Sequence, residues 1–263
     1  MKKTIVITGS TRGIGYGLAV SLLERGCAVM INGRNPKTVE EVVSQLSRRF
    51  TPEAVHGLPG DVTDYRQVQA LWDAAVQQFG KIDIWVNNAG LASSQAASWE
   101  LPPDVLCSVV DTNVVGTLYG SKVAMQGMLG QGYGMIYLML GFGSDGRKLA
   151  GLTIYGTTKA AVRYYFDALV EEAEGTPVKI GALSPGMLAT DLVTSSRHTN
   201  PENWERVKRA LNLLGDRAET VVHWLAEKML AEQPNGAEIR WLTGRKLMLR
   251  LVSAPFHKRH VVD

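Results

Sequence analysis

Cysteine is nearly absent: Cys27 and Cys107 are the only two in 263 residues. Lying far apart, they offer neither a disulfide framework nor a CxxC metal site, which predicts a reducing, cytoplasmic setting. Histidine is sparse too, with five scattered copies. Only His257 and His260 share helical spacing, and with no acidic or thiol partner beside them they read as a solvated tail, so no metal is expected. No apolar run approaches the roughly 18 residues that span a bilayer. The N-terminal "TIVIT" is too short for a signal sequence and runs straight into glycines, so it reads as a first strand and nothing directs export. A strong charge of one sign is missing as well. The net charge is +3, but residues 244–263 carry Arg245, Lys246, Arg250, Lys258 and Arg259 against Asp263 alone, so the tail holds +4 and the rest is near −1. Basicity confined to a tail gives a nucleic-acid-binding reading little footing.

What is present is an ordinary globular composition, 45% hydrophobic and 20% charged, long enough for one large α/β domain over residues 1–263. Strand-like runs "KTIVIT", "AVMIN", "AVHGLPGDV", "IDIWVNNAG", "GMIYLML" and "VKIGALSPG" alternate with amphipathic stretches at 14–25, 36–49, 64–79, 104–129 and 154–174. That alternation predicts right-handed βαβ crossovers and a doubly wound, mostly parallel sheet with helices on both faces. Two further helices, "ENWERVKRALNLL" and "AETVVHWLAEKML", fall in a substrate-side segment over 190–231, and "AEIRWLT" reads as a last strand. Ligands in such sheets bind beyond the carboxyl ends of the strands. Gly9, Arg34, Asp61, Asn88, Ser144 and Pro185 follow strands one to six in that position.

The stretch "TGSTRGIG" places Gly9, Gly13 and Gly15 at a strand-to-helix junction, with Ser10, Thr11, Arg12 and Ile14 between them. Glycines let the backbone turn tightly and approach a pyrophosphate, and the helix N-terminus offers free N–H groups to its charge. After the second strand, "INGRN" presents Arg34 where an acidic side chain would select NAD. Arg34 and Arg12 together suit a ribose 2′-phosphate, so the expected cofactor is NADPH. Tyr155 and Lys159, in "YGTTK", are four apart and share a helix face. A phenol, with a pKa near about 10, is too weak a base at neutral pH, whereas a neighbouring ammonium and an oxidised nicotinamide stabilise the phenolate.

With "TGSTRGIG", "DV" at 61–62, "NNAG" at 87–90, Asn113, "YGTTK" and "SPG" at 184–186 in order, the chain resembles the short-chain dehydrogenase/reductases over about residues 3–243. The resemblance implies a Rossmann-type cofactor domain in which Asp61 and Val62 flank the adenine and Asn88, Ala89 and Gly90 line the cofactor. It also implies that Pro185, Gly186, Met187 and Thr190 touch the nicotinamide end. Tyr155 and Lys159 become the catalytic pair and contact the cofactor, with Asn113 holding a water that passes protons through Lys159. The family's carbonyl-activating serine, however, has no counterpart in place. Counting back from Tyr155 finds Phe142, and aligning from the strand finds Gly141. Ser144 is the candidate if the loop carries it to the carbonyl, and a turn-forming residue otherwise.

The loop "GFGS", with "IYGTTK", "SPGMLATDL" and the late "IRWLT", resembles the chlorophyll b reductase branch, whose members use NADPH to reduce a 7-formyl group to hydroxymethyl. By that resemblance Ser144 corresponds to the branch's loop serine, and Met187, Thr190, Asp191 and Leu192 to its post-strand segment. The function expected is an NADPH-dependent reductase of a bulky, apolar small-molecule aldehyde or ketone. A generic reductase of keto-acyl, steroid-like or sugar substrates and a non-catalytic dinucleotide-binding protein are the alternatives. The family's habit implies a homodimer or homotetramer. For the tail, in which Leu247, Leu249 and Leu251 alternate with cations, four readings stand open. They are a packed helix or strand, a subunit contact, a wall of the substrate site, and peripheral contact with an anionic membrane.

Overall fold

The computed structural model describes residues 2–92, 96–188, 201–254 and 259–262. Seven parallel strands run in the order β3-β2-β1-β4-β5-β6-β7: β1 (Thr4–Ile7), β2 (Ala28–Gly33), β3 (Val55–Pro59), β4 (Ile84–Asn87), β5 (Gly134–Met139), β6 (Val178–Ser184) and β7 (Ala237–Arg240). The order reverses beside β1, so the crevice between the carboxyl ends of β1 and β4 is the switch point at which this architecture binds ligands.

Successive residues of a strand face opposite sides of the sheet. Ile5, Ile7, Val29, Ile31, Ile84 and Val86 pack on one face against Leu18 and Leu22 of α1 (Gly13–Leu23) and against Val221 and Leu225 further along the chain. Val6, Met30, Trp85, Ile136 and Leu138 pack on the other face. There they meet Leu71 and Trp72 of α3 (Tyr65–Phe79) and, from later helices, Val123, Val162 and Phe166. Both faces are covered, which is why these strands read as unbroken apolar runs. Each fully buried aliphatic side chain contributes roughly 1.5–3 kcal/mol.

Local signals set several boundaries. α2 (Pro36–Arg49) begins where Pro36 takes the first helical position and the Asn35 side chain accepts from Thr38 N, as residue types at a helix start require. Asp64 caps α3 in the same way. The expected single helix over 104–129 is instead α4 (Pro103–Val110), a π-helical turn at Asp111–Val115, and α5 (Gly116–Gln131). α6 (Thr153–Glu172) follows β5, and α7 (Pro201–Leu214) and α8 (Ala218–Leu230) follow β6. No helix among the described residues is long and apolar enough to cross a membrane.

Of the four readings of the tail, residues 244–253 take the first. They form α9 (Gly244–Ser253), capped by Thr243 Oγ1 on Lys246 N. Arg250, the buried residue of this helix, donates to Asp216 Oδ2 at 2.6 Å and to the Leu214 carbonyl, and Arg259 donates to Asp216 Oδ1 at 2.6 Å. Asn212 completes the strap by accepting from the N–H groups of Val261 and Val262. Met248, Leu249 and Val252 remain exposed on the outer side of the helix.

Candidate active site

The turn after β1 is held by buried polar groups. Gly9 has φ +60°, and a Cβ there would stand 2.9 Å from Ala89 Cα, so the turn needs glycine both for its backbone angle and for its approach to the β4 loop. Asn88 Nδ2 donates to the carbonyls of Thr8 and Gly9 at 2.8 and 3.0 Å, while Thr8 Oγ1 accepts from Asn88 N and Ala89 N, each at 3.0 Å. The "NNAG" segment therefore braces the glycine turn. On the other side Ser10 N donates to the Asn32 carbonyl, Asn32 N donates to Ser10 Oγ, and Gly9 N donates to Asn32 Oδ1.

The site fits a dinucleotide. The N-terminus of α1 carries no side-chain cap and no acidic residue in its first turn, and the space in front of Gly13 is open. Free N–H groups and the helix dipole thus face an open cradle suited to a pyrophosphate. Ile14 is half-buried and packs on the core, while Gly15 is fully enclosed. Thr11 packs so closely on Gly33 that a Cβ there would lie 2.7 Å from its methyl group. Arg12 and Arg34, both exposed, are the chain neighbours of these two contacting residues. Asp61 Oδ1 accepts from Thr63 N and Oγ1, each at 2.9 Å, and Val62 is buried against Gly116. At these two positions the structure shows a turn cap and a core contact beside the crevice.

Tyr155 and Lys159 share one face of α6, with Lys159 Nζ 5.8 Å from the Tyr155 ring centroid. Lys159 is buried, and its Nζ donates to the Met139 carbonyl at 2.9 Å. Burial lowers its pKa to about 8 and pushes the Tyr155 phenol up to about 12, because desolvation disfavours the charged form of each. A raised phenol pKa favours the protonated form, the form that can donate. Asn113 is fully buried in the π turn. Its Oδ1 accepts from Leu91 N at 2.7 Å, and its Nδ2 donates to the Leu91 carbonyl and to Thr158 Oγ1, each at 2.9 Å. Thr158 Oγ1 in turn donates to the Tyr155 carbonyl at 2.7 Å. The Asn113 side chain thus ties the Gly90–Leu91 loop to α6, and its carbonyl accepts the Thr117 hydroxyl.

Ser144 stands in the role of a turn residue. Its Oγ and its N both donate to the Gly141 carbonyl, at 2.7 and 3.1 Å. Gly143, with φ +98°, abuts Gly156 at the start of α6. Beyond β6, Pro185 is buried and Gly186 lies against Leu242. The Met187 carbonyl accepts from Asp216 N at 3.1 Å, which couples the segment after β6 to the tail strap. Thr190, Asp191 and Leu192 lie outside the described residues. Thr8, Asn32, Thr158 and Asp216 are structural supports that sequence reasoning missed. The available signal was polar residues at strand and helix ends, where the sheet buries them.

Comparison with known proteins places these features in context. The chain matches the short chain dehydrogenase family over residues 3–201. It is 36% identical over 258 residues to a chlorophyll(ide) b reductase NOL of Oryza sativa subsp. japonica, covering 95% of this chain and 74% of that protein. It is 37% identical over 261 residues to the Arabidopsis thaliana protein of the same name, covering 95% and 72%. A solved actinorhodin polyketide ketoreductase with NADPH superposes with a TM-score of 0.79 at 24% identity, covering 92% of this chain and 97% of that one.

Proposed function

The chain belongs to the short-chain dehydrogenase family and is an oxidoreductase of carbonyl and hydroxyl groups, and from that premise we propose that it is an NADPH-dependent carbonyl reductase. Its substrate in this reading is a bulky, largely apolar aldehyde, most specifically the 7-formyl group of a chlorophyll b-type macrocycle, which becomes a hydroxymethyl. The observation that carries the reductase reading is the buried Lys159 beside Tyr155 on one face of α6. The similarity to the two chlorophyll(ide) b reductases over 95% of the chain supports the substrate.

A dinucleotide held in this crevice would supply the hydride that the carbonyl carbon receives. The Tyr155 hydroxyl donates its proton to the carbonyl oxygen, so that the C=O bond becomes a secondary or primary alcohol and the phenol is left as phenolate. Lys159 stabilises that phenolate electrostatically, and its position is held by the Met139 carbonyl. Asn113 and Thr158 fix the Tyr155 backbone against the Gly90–Leu91 loop, which keeps donor and substrate in register. The α1 N-terminus would hold the pyrophosphate, and Arg12 and Arg34 would hold a 2′-phosphate. Homo-oligomeric assembly belongs to the same proposal.

Incubating the purified chain with NADPH and a panel of carbonyl compounds that includes chlorophyll b tests the reading. The expected result is a hydroxymethyl product and loss of turnover, on the order of 10²–10⁴-fold, in Tyr155→Phe. Turnover of a simple ketone with no product from chlorophyll b would remove the substrate assignment. Absence of NADPH oxidation with every carbonyl would remove the enzyme reading.

A further inference from the structure

Resting on the reading of Tyr155 as proton donor, we infer that Gly141 is a positioning residue that must lack a side chain, because its Cβ would press on the Tyr155 hydroxyl, and that Ser144 acts through Gly141. A Cβ built on Gly141 would lie 2.5 Å from Tyr155 Oη and 3.2 and 3.3 Å from Cγ and Cε of Lys159. Approaches under 3.0 Å do not occur, so one partner has to move. The backbone is not the reason for the glycine, since Gly141 is not among the positive-φ residues. The reason is space.

Neither backbone can give way easily. Upstream of Gly141, Leu140 N donates to the Leu183 carbonyl at 2.9 Å. Downstream, Ser144 grips the Gly141 carbonyl with both its N and its Oγ. Behind the loop, a Cβ on Gly143 would lie 2.6 Å from Gly156 Cα, so loop and helix backbones are already in contact. α6 is pinned in turn, by Thr158 to Asn113 and by Lys159 to the Met139 carbonyl. The free end of the Tyr155 side chain is what remains to yield. A side chain at 141 is thus cheap for the fold and costly for the phenol.

Gly141 is one of the two positions at which the family resemblance looks for its serine. The geometry assigns the opposite consequence to restoring it: Gly141→Ser displaces the proton donor. Ser144 keeps a hydroxyl in the loop, yet spends its donor on the carbonyl of Gly141 and so sets the height of the seat.

The test uses Gly141→Ala, Gly141→Ser, Ser144→Ala and the Gly141→Ala/Ser144→Ala double variant of the full chain. For both Gly141 variants kcat is expected to fall about ten- to a hundredfold, the upper figure being the scale of a misplacement of about 1 Å, with KM, NADPH affinity and unfolding midpoint unchanged. Crystal structures of the parent and Gly141→Ala are expected to differ by about half an ångström or more at Tyr155 Oη, the shortfall between 2.5 and 3.0 Å. Because both residues act on one hydroxyl, the double variant should be no slower than Gly141→Ala alone; independent action at the substrate would make the losses add. Full turnover in Gly141→Ala, or an unmoved Oη, overturns the seat. Additive losses overturn the role given to Ser144. If the parent reduces no carbonyl at all, the proposed function fails, and the seat is then decided by the two crystal structures alone.

Discussion

Lys159 Nζ donates to the Met139 carbonyl at 2.9 Å from a position where the lysine is only 5% exposed. One hydrogen bond does not replace the hydration of an ammonium, and burial lowers the lysine pKa to about 8. Between that value and the unfolded lysine value of about 10.4 the unfolded chain binds more protons than the folded one. Stability therefore rises with pH across this window and is lost as pH falls through about 8. The expected result is that Lys159→Met is more stable than the parent at pH 7 by about 2 kcal/mol and loses that advantage by pH ~10.5. Urea unfolding at several pH values checks it; a constant difference at all pH values would refute the buried-ammonium account.

Arg12 and Arg34 flank the contact between Thr11 and Gly33. A charge-assisted hydrogen bond to a phosphate is worth about 1.5–3 kcal/mol. Arg34→Glu is accordingly expected to weaken NADPH binding by about ten- to a hundredfold while leaving NADH binding equal or tighter. Fluorescence titration with both nucleotides measures this, and an unchanged NADPH preference would sink the assignment of Arg34.

Asp216 holds the tail. Burial pushes its carboxyl up, but Trp241, Arg250 and Arg259 together keep it below the ordinary carboxylate range. Removing one partner of a buried ion pair leaves an uncompensated charge, which costs about 3 kcal/mol or more. Asp216→Ala should lose stability on that scale and become sensitive to proteolysis near α9. Since the folded pKa is depressed, the stabilisation is present above about pH 4 and fades in acid below it. Parent-like stability and protease resistance in the variant would show that the strap is held by other contacts.

Tyr137 offers the converse case. It lies in β5, wholly buried, and its hydroxyl has no hydrogen-bond partner among the described residues. An unsatisfied buried hydroxyl costs about 1–3 kcal/mol. Tyr137→Phe is expected to equal or exceed the parent in stability by up to about 1 kcal/mol, with no change in NADPH binding. A loss of stability in thermal unfolding would mean that the hydroxyl has a partner in solution.

The amphipathic stretches at 36–49 and 64–79 were legible in the sequence to within a residue of α2 and α3, because each helix start is closed by a cap within four residues. The strands were legible for a similar reason: both of their faces are covered, and composition alone records that. The break at Asp111–Val115 was not legible. It follows from Asn113 bonding to Leu91 and to Thr158, residues 22 and 45 positions away. Nor could the spacing of "GFGS" decide between a serine carried to the carbonyl and a serine closing a turn, since both need the same glycines.

The sequence by itself determined the alternation of elements, the glycine cradle before α1, the arginines that follow β1 and β2, and the Tyr155–Lys159 pair, since each depends on spacing or residue type over a few positions. Only the tertiary structure decided how β5 meets α6. There the Tyr155 hydroxyl crowds the place of a Gly141 side chain, Ser144 turns back on the Gly141 carbonyl, and the tail closes on Asp216. Those outcomes depend on which distant backbones are pressed together, and close packing settles them.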